Sequence, residues 1–172
     1  MNIYITSGTM DFMEVLRKRH KKETMVAMHS SGNSVLLHET KGKTVFQTPR
    51  RYEVVSSSGN ITESGFFALN HLSVTDEGRP VFEHLFQDLT DTIADEPGLI
   101  AFRLLRPLDS DTYIIMTEWS KELFFDAWKK SPAYEHVHEE SKSRVNINRT
   151  AHIFSSAPYV TTFVTKNEIE EE

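Results

Sequence analysis

Three residues of this chain combine reactive or ligand-binding chemistry with a setting that asks for an explanation: Asn70, Trp128 and His138. Asn70 falls in the middle of an alternating run, Phe66 to Val74, on the face it shares with Phe66, Ala68, Leu72 and Val74. A carboxamide on an apolar sheet face costs ~1–3 kcal/mol unless it is hydrogen-bonded, so it needs backbone, water or a ligand as partner. His138 closes the segment Ser131-Pro132-Ala133-Tyr134-Glu135-His136-Val137-His138, where a Ser N-cap followed by Pro at the first helical position predicts a helix start. At ~100° per residue His138 shares a face with Tyr134, while His136 points well away from both. That spacing turns His138 toward a pocket and His136 toward solvent, and by itself leaves a core histidine and a metal ligand both open. Trp128 lies on an apolar stripe with Phe124, which alone reads as core packing.

Other chemistry is largely excluded. The chain has no cysteine, which rules out disulfides, thiolate nucleophiles, iron–sulfur clusters and thiolate zinc sites. His20, His29, His38, His71, His84, His136 and His152 are scattered through expected surface faces, strands and turns, without compact zinc-ligand spacing. Carboxylates show no distinctive pairing, and neither a phosphate-binding glycine loop nor a serine nucleophile elbow is present. Lys and Arg total 19 against 25 Asp and Glu, a formal charge of -6, which argues against nucleic acid and anionic membranes as partners. The start of the chain has neither the basic segment nor the apolar run of a signal peptide, and nothing approaches ~18 apolar residues in a row, so a soluble cytoplasmic protein is expected.

The elements that must position these residues fall into two groups. Residues 2–6 read as a strand; Ser7-Gly8-Thr9 turns into a helix with Phe12, Val15 and Leu16 on one face; extended pieces follow at 24–29, 34–39 and 44–55. The polar run Ser56-Ser57-Ser58-Gly59-Asn60 reads as a loop and a boundary. From Gly65 a strand to Val74 is followed by a helix from Arg79 to Ala94, carrying Phe82, Leu85, Phe86, Leu89 and Ile93. Strands 99–106 and 112–119 come next, then a helix capped by Ser120 with Leu123, Phe124, Ala127 and Trp128, and a late strand at about 151–165. The order β-α-β-β-α-β predicts an α+β, ferredoxin-like (split βαβ) antiparallel sheet with its helices on one face, residues 65–165. Residues 1–60 form an additional N-terminal α+β region packing on that sheet, and 166–172 an acidic tail.

On these residues the sequence resembles the heme-degrading monooxygenases of the antibiotic-biosynthesis-monooxygenase (ABM) superfamily, in the longer HmoB-type form with an added N-terminal region. The resemblance rests on Tyr4-Ile5-Thr6-Ser7-Gly8-Thr9, Thr44-Val45-Phe46, Tyr52-Glu53-Val54, the run from Leu105 to Tyr113 and the run from Ser156 to Thr162, in one order over both halves. It implies that Asn70, Trp128 and His138 are the family's Asn/Trp/His triad, both catalytic and heme-binding, with His138 as the iron ligand. A neutral imidazole can bind iron from one side and leave the other open to dioxygen. The Asn70 amide is suited to hydrogen-bond dioxygen, and the bulk of Trp128 to press the porphyrin out of plane. Heme is then both substrate and cofactor, O2 the oxidant, and the electrons come from an external donor, an unidentified reductase or reductant. Lys129, Lys130 or Arg79 could line a basic mouth for the propionates. A monomer of pseudo-dimeric shape is expected rather than a homodimer. The alternatives carried by the same resemblance are a non-catalytic heme-binding or signalling module and a cofactor-independent ABM monooxygenase.

Overall fold

The computed structural model describes residues 1–132, 134–135 and 153–167. The chain opens with strand β1 (Asn2–Gly8), and Thr9 caps helix α1 (Met10–Arg19) by accepting a hydrogen bond from the Phe12 amide at 3.2 Å. Asp11 near its start and Arg17, Lys18 and Arg19 at its end complement the helix dipole. The buried face of α1 is not the expected one: Met13 and Glu14 are buried, whereas Phe12 is 57% and Val15 47% exposed. The reason is polar. Glu14 is drawn beneath the helix by His29 Nε2 and Arg17, each 2.9 Å away, and that rotation brings Met13 onto Met25, Ala27 and Leu36.

Strands β2 (Thr24–Ser30) and β3 (Asn33–Thr40) form a hairpin whose turn needs Gly32, at φ +80°. Residues 41–49 are a loop rather than the beginning of the next strand, which is β4 (Arg50–Gly59). The Ser-rich run 56–58 therefore lies inside a strand, contrary to its reading as a loop. Those serines pair with Phe102, Arg103 and Leu104 across a register shift between Val54 and Ser56, so the backbone ladder outweighs their turn preference.

The second half comprises β5 (Phe66–Ser73), α2 (Arg79–Gln87), α3 (Leu89–Ile93), β6 (Leu99–Pro107), β7 (Thr112–Trp119), α4 (Glu122–Lys129) and β8 (Tyr159–Val164). The helix expected over 79–94 is two helices meeting at Asp88, with Phe82, Phe86, Leu89 and Ile93 kept in one core. The last strand is shorter than expected and begins at Tyr159. Ser120 is not the cap of α4; Lys121 holds that position, and the Ser120 amide donates to Gly98 O at 2.8 Å.

All eight strands form one antiparallel barrel in the order β1-β3-β2-β8-β5-β7-β6-β4. A free-standing four-stranded sheet is thus replaced by two sets, β4-β1-β3-β2 and β8-β5-β7-β6, whose edges pair with each other. Ile3, Ile5, Val26 and Leu37 from the first half meet Phe67, Leu69, Ile114 and Met116 from the second inside the barrel. At ~1.5–3 kcal/mol for each fully buried large apolar side chain, this shared interior gives either half much to lose on separation. Helix α1 packs outside the first set, and α2, α3 and α4 pack on the second. No helix among the described residues is long and apolar enough to cross a membrane.

Three histidines read as scattered surface, strand or turn residues are buried. His29 bonds Ser34 and Glu14 at 2.8 and 2.9 Å, and His38 bonds Thr44 and Glu23 at 3.1 and 2.9 Å. His71 contacts Thr161 Oγ1 at 2.9 Å and stacks on Tyr159 at 4.5 Å, and burial lowers its pKa to about 4. It therefore stays neutral at physiological pH.

At one end of the barrel Glu118, fully buried, accepts a 2.9 Å hydrogen bond from the Thr62 amide and a second from its hydroxyl, tying the connection between the halves to β7. Arg103 stands nearby, engaged with Glu39 at 2.7 Å. Burial raises the Glu118 pKa to about 7, against a smaller opposing effect of the Thr62 bonds and Arg103. A carboxyl raised in the folded state stabilises fully below its unfolded pKa, near 4.5, and that contribution is lost as pH rises through about 7. Glu118→Gln should therefore be more stable than wild type at pH 8 by about 2–3 kcal/mol and melt higher there, with the gap closing toward pH 4.5. Equal melting differences at both pH values, measured by calorimetry, would exclude this assignment.

Candidate functional site

Asn70 sits where its run of alternation placed it, on the helix-covered face of β5, half-buried between Ile115 of β7 and Val160 of β8 in the strand register. Among the described residues nothing hydrogen-bonds its side chain, which is not fully buried. A carboxamide has two donor hydrogens and an acceptor oxygen, and here they face a cleft. Asn70 with Ala68 of β5, Ile115 and Thr117 of β7, and Val160 form the sheet side of that cleft. Phe125 and Trp128 of α4 form the other.

Trp128 reaches the cleft because α4 turns Phe125 and Trp128, three residues apart, toward the sheet. The expected stripe is offset by one residue: Leu123 is 62% exposed and Phe124 only partly buried. Trp128 is backed by Trp119, ring centroids 5.6 Å apart, and meets Tyr134 edge-on at 4.8 Å and 76°. Ser131 makes the turn between them, its hydroxyl donating to Trp128 O at 2.6 Å and accepting from the Tyr134 amide at 3.3 Å. Pro132, Tyr134 and Glu135 are helical, so the Ser-Pro start reads as the sequence suggested. Tyr134, the residue expected to share a face with His138, is thus packed against Trp128. His136 and His138 lie outside the described residues.

Sequence reasoning missed Thr117. Its hydroxyl accepts a 2.8 Å bond from Trp119 Nε1 and lines the cleft one strand from Asn70. The signal available was parity, since Thr117 is the polar member of an otherwise apolar set with Tyr113, Ile115 and Trp119. The candidates for a basic mouth are dispersed. Arg79 donates to Ser110 O at 2.6 Å, and Lys129 bonds Asp126 at 3.2 Å with its ammonium 4.7 Å from the Phe125 ring centre. Among the described residues no group of three His, Cys, Asp or Glu side chains could hold a metal ion. The gap between these walls holds only about 10 Å³, about one water, far below the ~300–1,000 Å³ usual for ligand pockets, so a large planar ligand enters only if the walls part.

Residues 65–140, the segment that holds Asn70 and Trp128, match the family described as Antibiotic biosynthesis monooxygenase. The resemblance expected from the sequence also extends over most of the chain to individual proteins. A Listeria monocytogenes protein named Heme-degrading monooxygenase is 27% identical over 135 residues, covering 78% of this chain and 81% of its own. Signal transduction protein TRAP of Staphylococcus aureus strain MSSA476 is 25% identical over 142 residues, 82% of this chain and 85% of its own. The solved structure described as a major regulator of staphylococcal pathogenesis superposes with a TM-score of 0.80 at 23% identity, covering 95% and 98% of the two chains. A Listeria monocytogenes structure described as a ferredoxin fold protein related to antibiotic biosynthesis monooxygenases superposes with a TM-score of 0.76 at 24% identity, covering 95% and 93% of the two chains.

Proposed function

We propose that this protein is a heme-degrading monooxygenase whose working residues are Asn70, Trp128 and His138. The observation that carries the reading is the Asn70 amide, without a hydrogen-bond partner among the described residues and directed into a cleft walled by Trp128. The named activity of the Listeria relative supplies the substrate class. The donor set fits: an aromatic wall suits a porphyrin face, an unpaired amide suits a small polar ligand beside it, and an imidazole suits iron.

In this reading His138 binds the heme iron through a neutral ring nitrogen. Asn70 offers an N–H where oxygen chemistry takes place, Trp128 bears on the ring, and Phe125 with Ile115 excludes water. Bound heme supplies the iron that activates O2 when an external donor delivers electrons. Residues 65–165 act as the split βαβ catalytic unit, residues 1–60 take the place of a second subunit, and the working form is a monomer in the cytoplasm. The TRAP relative favours one other reading, a signalling module of the same fold that holds heme without consuming it.

Adding hemin to the purified protein and following absorbance before and after a reductant in air separates the two. Degradation predicts a Soret band on binding that decays with release of iron and a ring-opened product. A band that persists through reduction and reoxidation supports the holding module, and no band at all removes both.

A further inference from the structure

The two strand sets share one pairing plan, β1 between β3 and β4 as β5 lies between β7 and β8. The second residue of β8, Val160, pairs with Asn70, which pairs with Ile115. The second residue of β4, Arg51, pairs with Tyr4, which pairs with His38. The row Arg51–Tyr4–His38 thus crosses the central strand of the first half as Val160–Asn70–Ile115 crosses that of the second, with Tyr4 two residues nearer the start of β1 than Asn70 is to the start of β5. Where α4 stands between β7 and β8, the loop 41–49 stands between β3 and β4.

On that outer face the first half carries a broad, largely open cavity of about 490 Å³. Tyr4 supplies aromatic surface, Phe46 adds the 8% of its surface left exposed, and Lys43, Gln47, Thr48 and Arg51 line it with side-chain donors. Lys43, Gln47 and Thr48 have no side-chain hydrogen bond or ion pair among the described residues, whereas Arg51 is held in place by Asp109 at 2.6 and 2.8 Å. In a chain of net charge -6 this lining contains two cations and no carboxylate. His38 cannot act as a metal ligand here, because both of its ring nitrogens are taken by Thr44 and Glu23.

We infer that this cavity is a second, non-catalytic binding site for a small aromatic anion, with the ring on Tyr4 and Phe46 and the anionic group toward Lys43. Aromatic surface stacks the ring, and an unpaired ammonium beside hydroxyl and amide donors favours a carboxylate or sulfonate over a neutral ligand. The site uses none of the residues of the proposed heme cleft.

The test is titration of the full-length, ¹⁵N-labelled protein with 1-naphthoate, read by amide chemical shifts, with acetate and naphthalene as separate arms. Naphthoate should shift the amides of Tyr4 and residues 43–51, and acetate or naphthalene should bind at least about tenfold more weakly. Lys43→Glu, an exposed substitution, should weaken naphthoate about tenfold while leaving the remaining amide spectrum unchanged. Shifts confined to the Asn70 and Trp128 cleft, no saturable shift, or unchanged affinity in Lys43→Glu would each overturn the proposal. Equal binding of acetate would overturn the aromatic platform.

Discussion

Replacing His138 with alanine is expected to reduce reductant-driven heme loss more than about 100-fold, while His136→Ala changes it less than about twofold. The magnitude follows from what a ligand does: altering a residue that merely orients a ligand costs ~10–100-fold, and deleting the ligand itself removes the iron's attachment. The contrast follows from helical spacing. Ideal helical spacing puts His138 on the face of Tyr134, which packs at 4.8 Å against Trp128, and predicts His136 ~160° away from that face. Both variants should keep the wild-type melting temperature within a few degrees. The decisive readings are the ferric heme spectrum and the single-turnover rate. A wild-type spectrum and rate in His138→Ala removes the ligand assignment, and a large loss in His136→Ala moves it two residues.

The sequence made the polar anomaly legible and left the packing around it obscure. Asn70 stands out because period-two alternation assigns every residue of its strand a face, so one carboxamide among Phe66, Ala68, Leu72 and Val74 needs no structure to be noticed. Thr117 escaped because its role depends on which strand lies beside β5. That pairing, Ala68 with Thr117, is a long-range fact. The connection from Ser131 to Tyr134 was readable for the opposite reason: Ser-Pro chemistry acts within a single turn.

The misreadings have physical causes of the same kind. Ser56, Ser57 and Ser58 prefer turns locally, but β6 offers their backbone a full ladder. The face of α1 was assigned from Phe12 and Val15, as apolar periodicity directs. Glu14 instead finds His29 beneath it, and a buried charge with partners sets the rotation. Burial and the bonds from His29 and Arg17 act in opposite directions on Glu14, and the bonds prevail to hold its pKa below the ordinary carboxylate value. His29 and Glu14 are fifteen residues apart, beyond any local pattern. Closure of two strand sets into a barrel was likewise invisible, since alternation is the same for a strand facing a partner sheet and one facing a second subunit.

The remaining large effect separates Asn70 from Trp128, which share a cleft but differ in what they offer it. Asn70→Ala deletes hydrogen-bonding groups and leaves the wall intact, because nothing among the described residues depends on that amide. Heme affinity should therefore stay within about threefold of wild type while turnover falls about 10–100-fold, the loss expected for one hydrogen bond made during the reaction. Trp128→Phe keeps an aromatic side chain against Trp119 and Tyr134 but gives up the second ring of the indole. Pressure on the porphyrin should relax, so that heme binds flatter, its absorption bands shift, and ring opening slows or changes position. Single turnover with ascorbate, read by absorbance and product mass, compares the two directly. Loss of heme binding in Asn70→Ala would make the amide a binding group rather than a reaction group. A wild-type rate, product and spectrum in Trp128→Phe would leave the tryptophan as core packing alone.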